Sequence, residues 1–165
     1  MKTKLLFDFI VNKESKTIHV KREFDTNLDL IWQAWTKAEL LDQWWGPKPW
    51  KAETKTMEFR KGGFWHYAMV GPGGEKHWSK ANYLNVIPKK FFTAKDGFCD
   101  ESGVMNPSFA QSFWKTSFIS KENKVQVDIT ITFDTRADLE ETIDMGFKEG
   151  FTMGLDQLNE LLPTL

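Results

Sequence analysis

Cysteine is nearly absent from this chain. Cys99 stands alone, so no disulfide can close within it, and packing rather than covalent stapling must hold the fold. There is no excess of charge of either sign. Lys and Arg number 22 against 23 Asp and Glu, a formal net charge of −1, and the two signs are interspersed. That leaves no electrostatic footprint for nucleic acid or an anionic membrane. Long apolar runs are missing as well: no segment approaches the roughly 20 apolar residues of a membrane span. The opening MKTKLLFDFIVNKE has an early lysine pair, but Asp8 interrupts its apolar run before it could act as a secretory leader. A lone cysteine without a leader points to a reducing cytoplasm. His19, His66 and His77 fall on separate stretches without a metal-binding spacing, so no metal is expected. Acidic neighbours, Asp100 and Glu101, argue against a reactive Cys99 thiolate. Gly62-Gly63 and Gly73-Gly74 lack the GxGxxG or Walker context and read as hairpin turns, and no cofactor is expected.

What the sequence does have is aromatic residues, at 15%, with eight Trp and fourteen Phe. They suit a thick core or an apolar pocket. At 165 residues the chain is expected to form one domain, 1–165, burying about 70% of its unfolded surface.

Period-two alternation marks strands at Leu5 to Val11 and Thr17 to Phe24, joined by the polar turn Lys13 to Lys16. Asp25-Thr26-Asn27 can cap a helix over LDLIWQAWT, and a second short helix runs from Lys37 to Trp45, stopped by Gly46-Pro47. Of Trp44 and Trp45, one should be buried and one partly exposed. From Trp50 alternation returns. Ala52, Thr54, Thr56 and Glu58 oppose Met57 and Phe59, and further strands follow at Phe64 to Val70, His77 to Ile87, Phe91 to Phe98, Phe109 to Ile119 and Val125 to Phe133. Six or seven of these should form the sheet. In the last, Val127, Ile129, Ile131 and Phe133 share one face, as in a half-buried antiparallel strand.

The stretch from Thr135 to Leu162 reads as helical, opened by a Thr135–Asp138 capping box and closed by Pro163. Phe147, Phe151, Leu155, Leu158 and Leu162 fall on one arc. Extending that arc back to Leu139 would draw in Glu140 and Asp144, which predicts a break near Met145-Gly146. Gly146, Gly150 and Gly154 form a strip without bulk, costing roughly 2.5 to 3 kcal/mol if all are helical. Sheet backbone or a ligand should approach it. Strands followed by one long amphipathic helix define an α+β domain, with the sheet curled around the helix.

VKREFDTNLDLIWQAWT, LLDQWWGPKPW, the Gly62-Gly63 turn into FWHYAM, and GFKEGFTMGLDQLNELL together resemble the START-like superfamily of polyketide cyclases and lipid-transfer domains. More narrowly, they resemble bacterial members of the family named after the activator of heat-shock protein 90 ATPase. The resemblance runs from about Thr17 to Leu162, and its most specific pieces are Trp-Trp-Gly-Pro at 44–47 and Gly-Phe-x-x-Gly-Phe at 146–151. It implies a helix-grip fold with an apolar cavity between sheet and C-terminal helix, and no single reaction. The eukaryotic relatives behind the name carry an additional domain without a counterpart here, so the name does not imply a chaperone role.

Trp65, Tyr67 and Met69 share a strand face, as do Ser79, Ala81 and Tyr83 on the next strand. With Trp114, and with Phe147, Gly150, Phe151 and Gly154 of the helix, they are the expected pocket lining. A one-residue slip would present Phe64, His66 and Ala68 instead. His66, Tyr67 and Asp96 are the candidates for acid–base work, since an imidazole titrates near neutrality and a phenol can donate to an oxyanion. No Ser/His/Asp or Cys/His set accompanies them. The leading expectation is binding of a small apolar or aromatic ligand without a defined reaction. A lyase, cyclase or hydrolase using the same cavity, or a stress-response interaction module, are the alternatives. A homodimer is compatible with the sequence but not specified by it.

Overall fold

The computed structural model describes residues 4–165; the first lysine of the opening pair and its two neighbours lie outside the described residues. Strands β1 (Phe7–Asn12) and β2 (Thr17–Phe24) form the first hairpin, with Val11 opposite Ile18. Helix α1 (Leu28–Thr36) starts where the Asn27 side chain accepts the Leu30 N–H, and α2 (Ala38–Trp44) stops before Gly46-Pro47. Six strands follow: β3 (Lys51–Met57), β4 (Phe64–Val70), β5 (Lys76–Ile87), β6 (Phe91–Phe98), β7 (Ser112–Lys121) and β8 (Lys124–Thr132). Helices α3 (Arg136–Asp144) and α4 (Phe147–Leu161) close the described chain with a short 3-10 turn, Leu162–Thr164.

All eight strands belong to one antiparallel sheet in the order β1-β2-β8-β7-β6-β5-β4-β3. This exceeds the expected six or seven, because Phe91–Phe98 is a complete strand between β5 and β7. The sheet is open and curved and wraps α4, giving an α+β helix-grip fold. Its tightest part lies on β2 and β8, where Ile18 pairs with Ile131 and Val20 with Ile129 in register, all essentially inaccessible. Leu155 and Leu158 of α4 join the same core. Full burial of each such side chain stabilises by roughly 1.5–3 kcal/mol.

Two bulges shift the strand phases. Lys55 has no partner between Thr54↔Tyr67 and Thr56↔His66, so Ala52 and Thr54 before it face the same side as Met57 and Phe59 after it. Strict alternation had put these pairs on opposite faces. Leu84 is the extra residue in β5, and it points outward at 41% exposure. A bulge re-aims every side chain beyond it, and its position depends on the partner strand.

The long C-terminal segment is broken at Gly146, as the arc requires. Gly146 adopts φ 88°, the left-handed region where a Cβ is penalised, and serves as N-cap of α4. Only the Thr135 half of the expected capping box forms, its hydroxyl accepting the Asp138 N–H. Two glycines rather than three are therefore inside α4, at a cost of about 2 kcal/mol. Sheet backbone does not meet them. A Cβ on Gly154 would lie 3.4 Å from the carbonyl oxygens of Trp44 and Trp45, and one on Gly150 would lie 3.6 Å from Pro47 Cγ. What approaches is the loop after α2, clamped by Gln157. Its Nε2 donates to Trp44 O (3.0 Å) and Gly46 O (2.7 Å), and its Oε1 accepts the Lys48 N–H (2.9 Å).

Candidate functional site

Between the concave sheet face and α4 lies a half-open cavity of about 540 Å³. Its floor comes from alternate residues of β4 to β7, among them Tyr67, Met69, Ser79, Asp96, Ser112 and Trp114. Phe147, Gly150 and Phe151 of α4 form the roof, and Trp45, Pro47 and Trp50 from the α2–β3 connection form a side wall. Asp138, Glu141 and Thr142 of α3 contribute to the lining, as do Phe98 and Phe109, whose rings pack edge to face at 5.1 Å. Phe109 was expected to begin a strand; β7 starts three residues later, leaving that ring in the β6–β7 loop.

A second void of about 40 Å³ lies beside the first and shares Trp45, Asp96 and Trp114 with it. Trp65, Ala81 and Tyr83 line this smaller space, together with Trp35, Phe92 and Thr116. The expected lining thus divides. Tyr67, Met69, Ser79, Trp114, Phe147, Gly150 and Phe151 surround the large cavity, Trp65, Ala81 and Tyr83 the small one, and Gly154 borders neither.

Trp45 links the two walls. Its ring meets Trp65 at 5.4 Å and Phe151 at 5.7 Å, and its indole N–H donates to the Tyr67 hydroxyl at 3.1 Å. It is half-buried while Trp44 is fully buried, the split expected of the pair. Trp65 stacks on Tyr67 at 3.9 Å, and Phe147 on Phe151 at 5.2 Å. Trp114 stands edge-on to both phenylalanines, at 5.9 and 5.8 Å. Interlocked rings of this kind hold one another in place, so the cavity has fixed walls.

The polar groups are few. Asp96 and Ser112 face each other in register across β6 and β7, and the Ser112 hydroxyl donates to Asp96 Oδ1 at 3.0 Å. The Trp114 indole N–H donates in turn to Ser112 Oγ at 2.9 Å. Burial pushes the Asp96 carboxyl up to about 6, with the Ser112 and Trp114 donors offsetting it only in part. Burial, with the Asp96 charge second, also raises the Tyr67 phenol far above its ordinary value. That hydroxyl stays protonated and can donate, but it cannot serve as a base near neutrality.

His66 is on the other side of the sheet. Its Nε2 lies 3.1 Å from Asp100 O, its ring packs 5.0 Å from Trp78, and the Asp100–Gly103 loop covers it. It does not border the cavity, so acid–base work there cannot fall to it. Burial pushes the Cys99 thiol up, with Asp100 adding to the effect. Among the described residues no three His, Cys, Asp or Glu side chains gather as a metal set, and no helix is long and apolar enough to cross a membrane.

Trp45, Trp50, Ser112 and the α3 carboxylates were not anticipated as lining. Asp96 and Ser112 carried a readable signal, since Asp96 is the single charge in the alternation Phe92, Ala94, Asp96, Phe98. The α2–β3 wall carried none, because only the folded loop brings it there.

A crystallised protein from Mycobacterium smegmatis is 27% identical, with 98% of this chain and 99% of that one aligned at a TM-score of 0.87. A solution structure from Arthrobacter aurescens is 26% identical over 96% of this chain and 92% of its own, at a TM-score of 0.89. One from Staphylococcus epidermidis is 28% identical over 93% of each, at 0.83. No curated protein matches the chain. Residues 25–163 match the family model described as activator of Hsp90 ATPase homolog 1-like protein, and with the helix-grip sheet and the Gly146–Phe151 helix start in place, the chain belongs to that family.

Proposed function

We propose that the chain, acting as one unit over 1–165, binds a small apolar or aromatic molecule between the sheet and α4, in the cytoplasm. One observation carries this reading: in a chain so rich in Trp and Phe, a space of about 540 Å³ stays open between interlocked rings. Well-packed interiors leave few voids larger than a water, and small-molecule sites commonly occupy about 300–1,000 Å³. The walls come from a single chain, so no second copy is needed to complete them. An interaction module would call for a continuous apolar face. The most exposed large apolar side chains, Val104, Met145 and Ile10, sit instead on a loop, a helix end and an edge strand.

A second reading, a lyase, cyclase or hydrolase in the same cavity, draws on the raised Asp96 carboxyl and the protonated Tyr67 hydroxyl as an acid–base pair.

The binding reading is tested by titrating 1-naphthylmethanol, a neutral aromatic probe, into the wild type and Gly150→Leu by calorimetry. Gly150 lines the cavity and leaves room for a Cβ, so leucine there should fill the space. Affinity should fall at least about tenfold while the melting temperature holds within a few degrees. Equal affinity in both proteins, or no binding to the wild type, would overturn the reading.

A further inference from the structure

The cavity has a charge character that its apolar walls do not explain. Among the described residues its charged lining consists of Asp96, Asp138 and Glu141, with no lysine or arginine, and His77 is the only one there that can become a cation. Asp96 lies at the floor, between the large cavity and the small one. Its Oδ1 takes the Ser112 hydroxyl, and among the described residues no cation pairs with its carboxylate. Glu23, the other carboxylate drawn inside, is met by Lys121 Nζ at 3.0 Å and Lys124 Nζ at 3.2 Å. Among the described residues Asp96 has no such partner.

Two of the wall's three indole N–H groups are also committed. The Trp114 indole donates to Ser112 and the Trp45 indole to Tyr67, so neither is free for an anionic guest. What the lining has in abundance is aromatic rings. A desolvated ammonium gains from Trp, Tyr and Phe faces and from a carboxylate together, whereas an anion gains from neither.

We propose that the guest is a lipophilic amine, its ammonium seated on Asp96 and its apolar body lying against Trp114, Phe147 and Phe151. This rests on the cavity-binding reading and adds the chemical class. A neutral aromatic would fill the space but bring no counter-charge to Asp96. A carboxylic acid would bring a second negative charge beside the first.

Three probes of one shape separate these cases: 1-naphthylmethylamine, 1-naphthylmethanol and 1-naphthoate, titrated calorimetrically at about pH 7.5 and constant salt. The amine should bind the wild type at least about tenfold tighter than the alcohol, and the acid weakest. In Asp96→Asn, which keeps shape and the bond from Ser112, the amine should drop to within about threefold of the alcohol. If the alcohol or the acid matches the amine on the wild type, the amine assignment falls while cavity binding stands. The same holds if Asp96→Asn keeps the preference. If none of the three binds, both fall together. The wild-type ranking decides by itself should the variant fail to fold.

Discussion

Glu23 and Asp96 are both carboxylates drawn in from solvent, on strands of one sheet with only β8 and β7 between them. Glu23 belongs to the packed half. The Leu6 N–H donates to it at 2.8 Å and two lysines complete its shell, which holds its carboxyl far down, at about 2. Asp96 belongs to the hollow half, with neutral donors and, among the described residues, no cation, and burial pushes its carboxyl up to about 6. The same functional group is driven in opposite directions by what surrounds it. Where the fold compensates the charge the residue is structural, and where it does not the residue is left to meet something else. Helix α4 runs through the same contrast. Gly150 looks toward the hollow, while four residues on Gly154 presses against carbonyl oxygens.

The largest effect should come from breaking the compensated site. Glu23→Gln leaves two ammonium groups around a neutral amide and is expected to cost about 3 kcal/mol at neutral pH, measured by urea unfolding. Because the folded carboxyl titrates below its ordinary 4.5, the wild-type advantage is present above that value and fades as pH falls toward 2. A pH-independent penalty would show that the lysines do not act through the charge. Next comes the glycine pair. Gly154→Leu should lose about 2 kcal/mol through overpacking against the α2 loop, whereas Gly150→Leu should lose binding and little stability. Equal losses from the two would erase the difference between the halves of the helix.

The remaining effect has the opposite sign. Asp96 titrates above its ordinary 3.8, so the stability it contributes is complete below about pH 4 and is lost as pH rises through 6. Asp96→Asn should therefore be more stable than the wild type at pH 8, by on the order of 2 kcal/mol, with the gap closing near pH 4. A constant gap in thermal melts across that range would mean the carboxyl is not desolvated.

Local signals carried much of this architecture. The Asn27 cap, the stop before Gly46-Pro47, the β8 alternation and the break at Gly146 all follow from neighbouring residues, and the structure places them where the sequence does. The bulges at Lys55 and Leu84 were illegible because each is defined by a strand elsewhere in the chain. The half-buried alternation of β4 was ambiguous for a similar reason. His66 and Ala68 are as buried as Trp65 and Tyr67, since the Asp100–Gly103 loop covers the convex face there. Trp50, and the place of Trp45 in the cavity wall, were illegible because that wall exists only once a loop has been pinned from a distance.

That pinning has a consequence for when the cavity comes into being. Gln157 holds the Trp44 and Gly46 carbonyls across separations of 113 and 111 residues. Contacts so distant in sequence form late, because a long intervening loop must close first. On a chain emerging from the ribosome, Trp45 can meet Trp65 and Tyr67 of β4 early, but the loop that carries it is pinned only when α4 arrives. The compartment is a property of the finished chain: a nascent one can form hairpins but has nowhere to hold a guest.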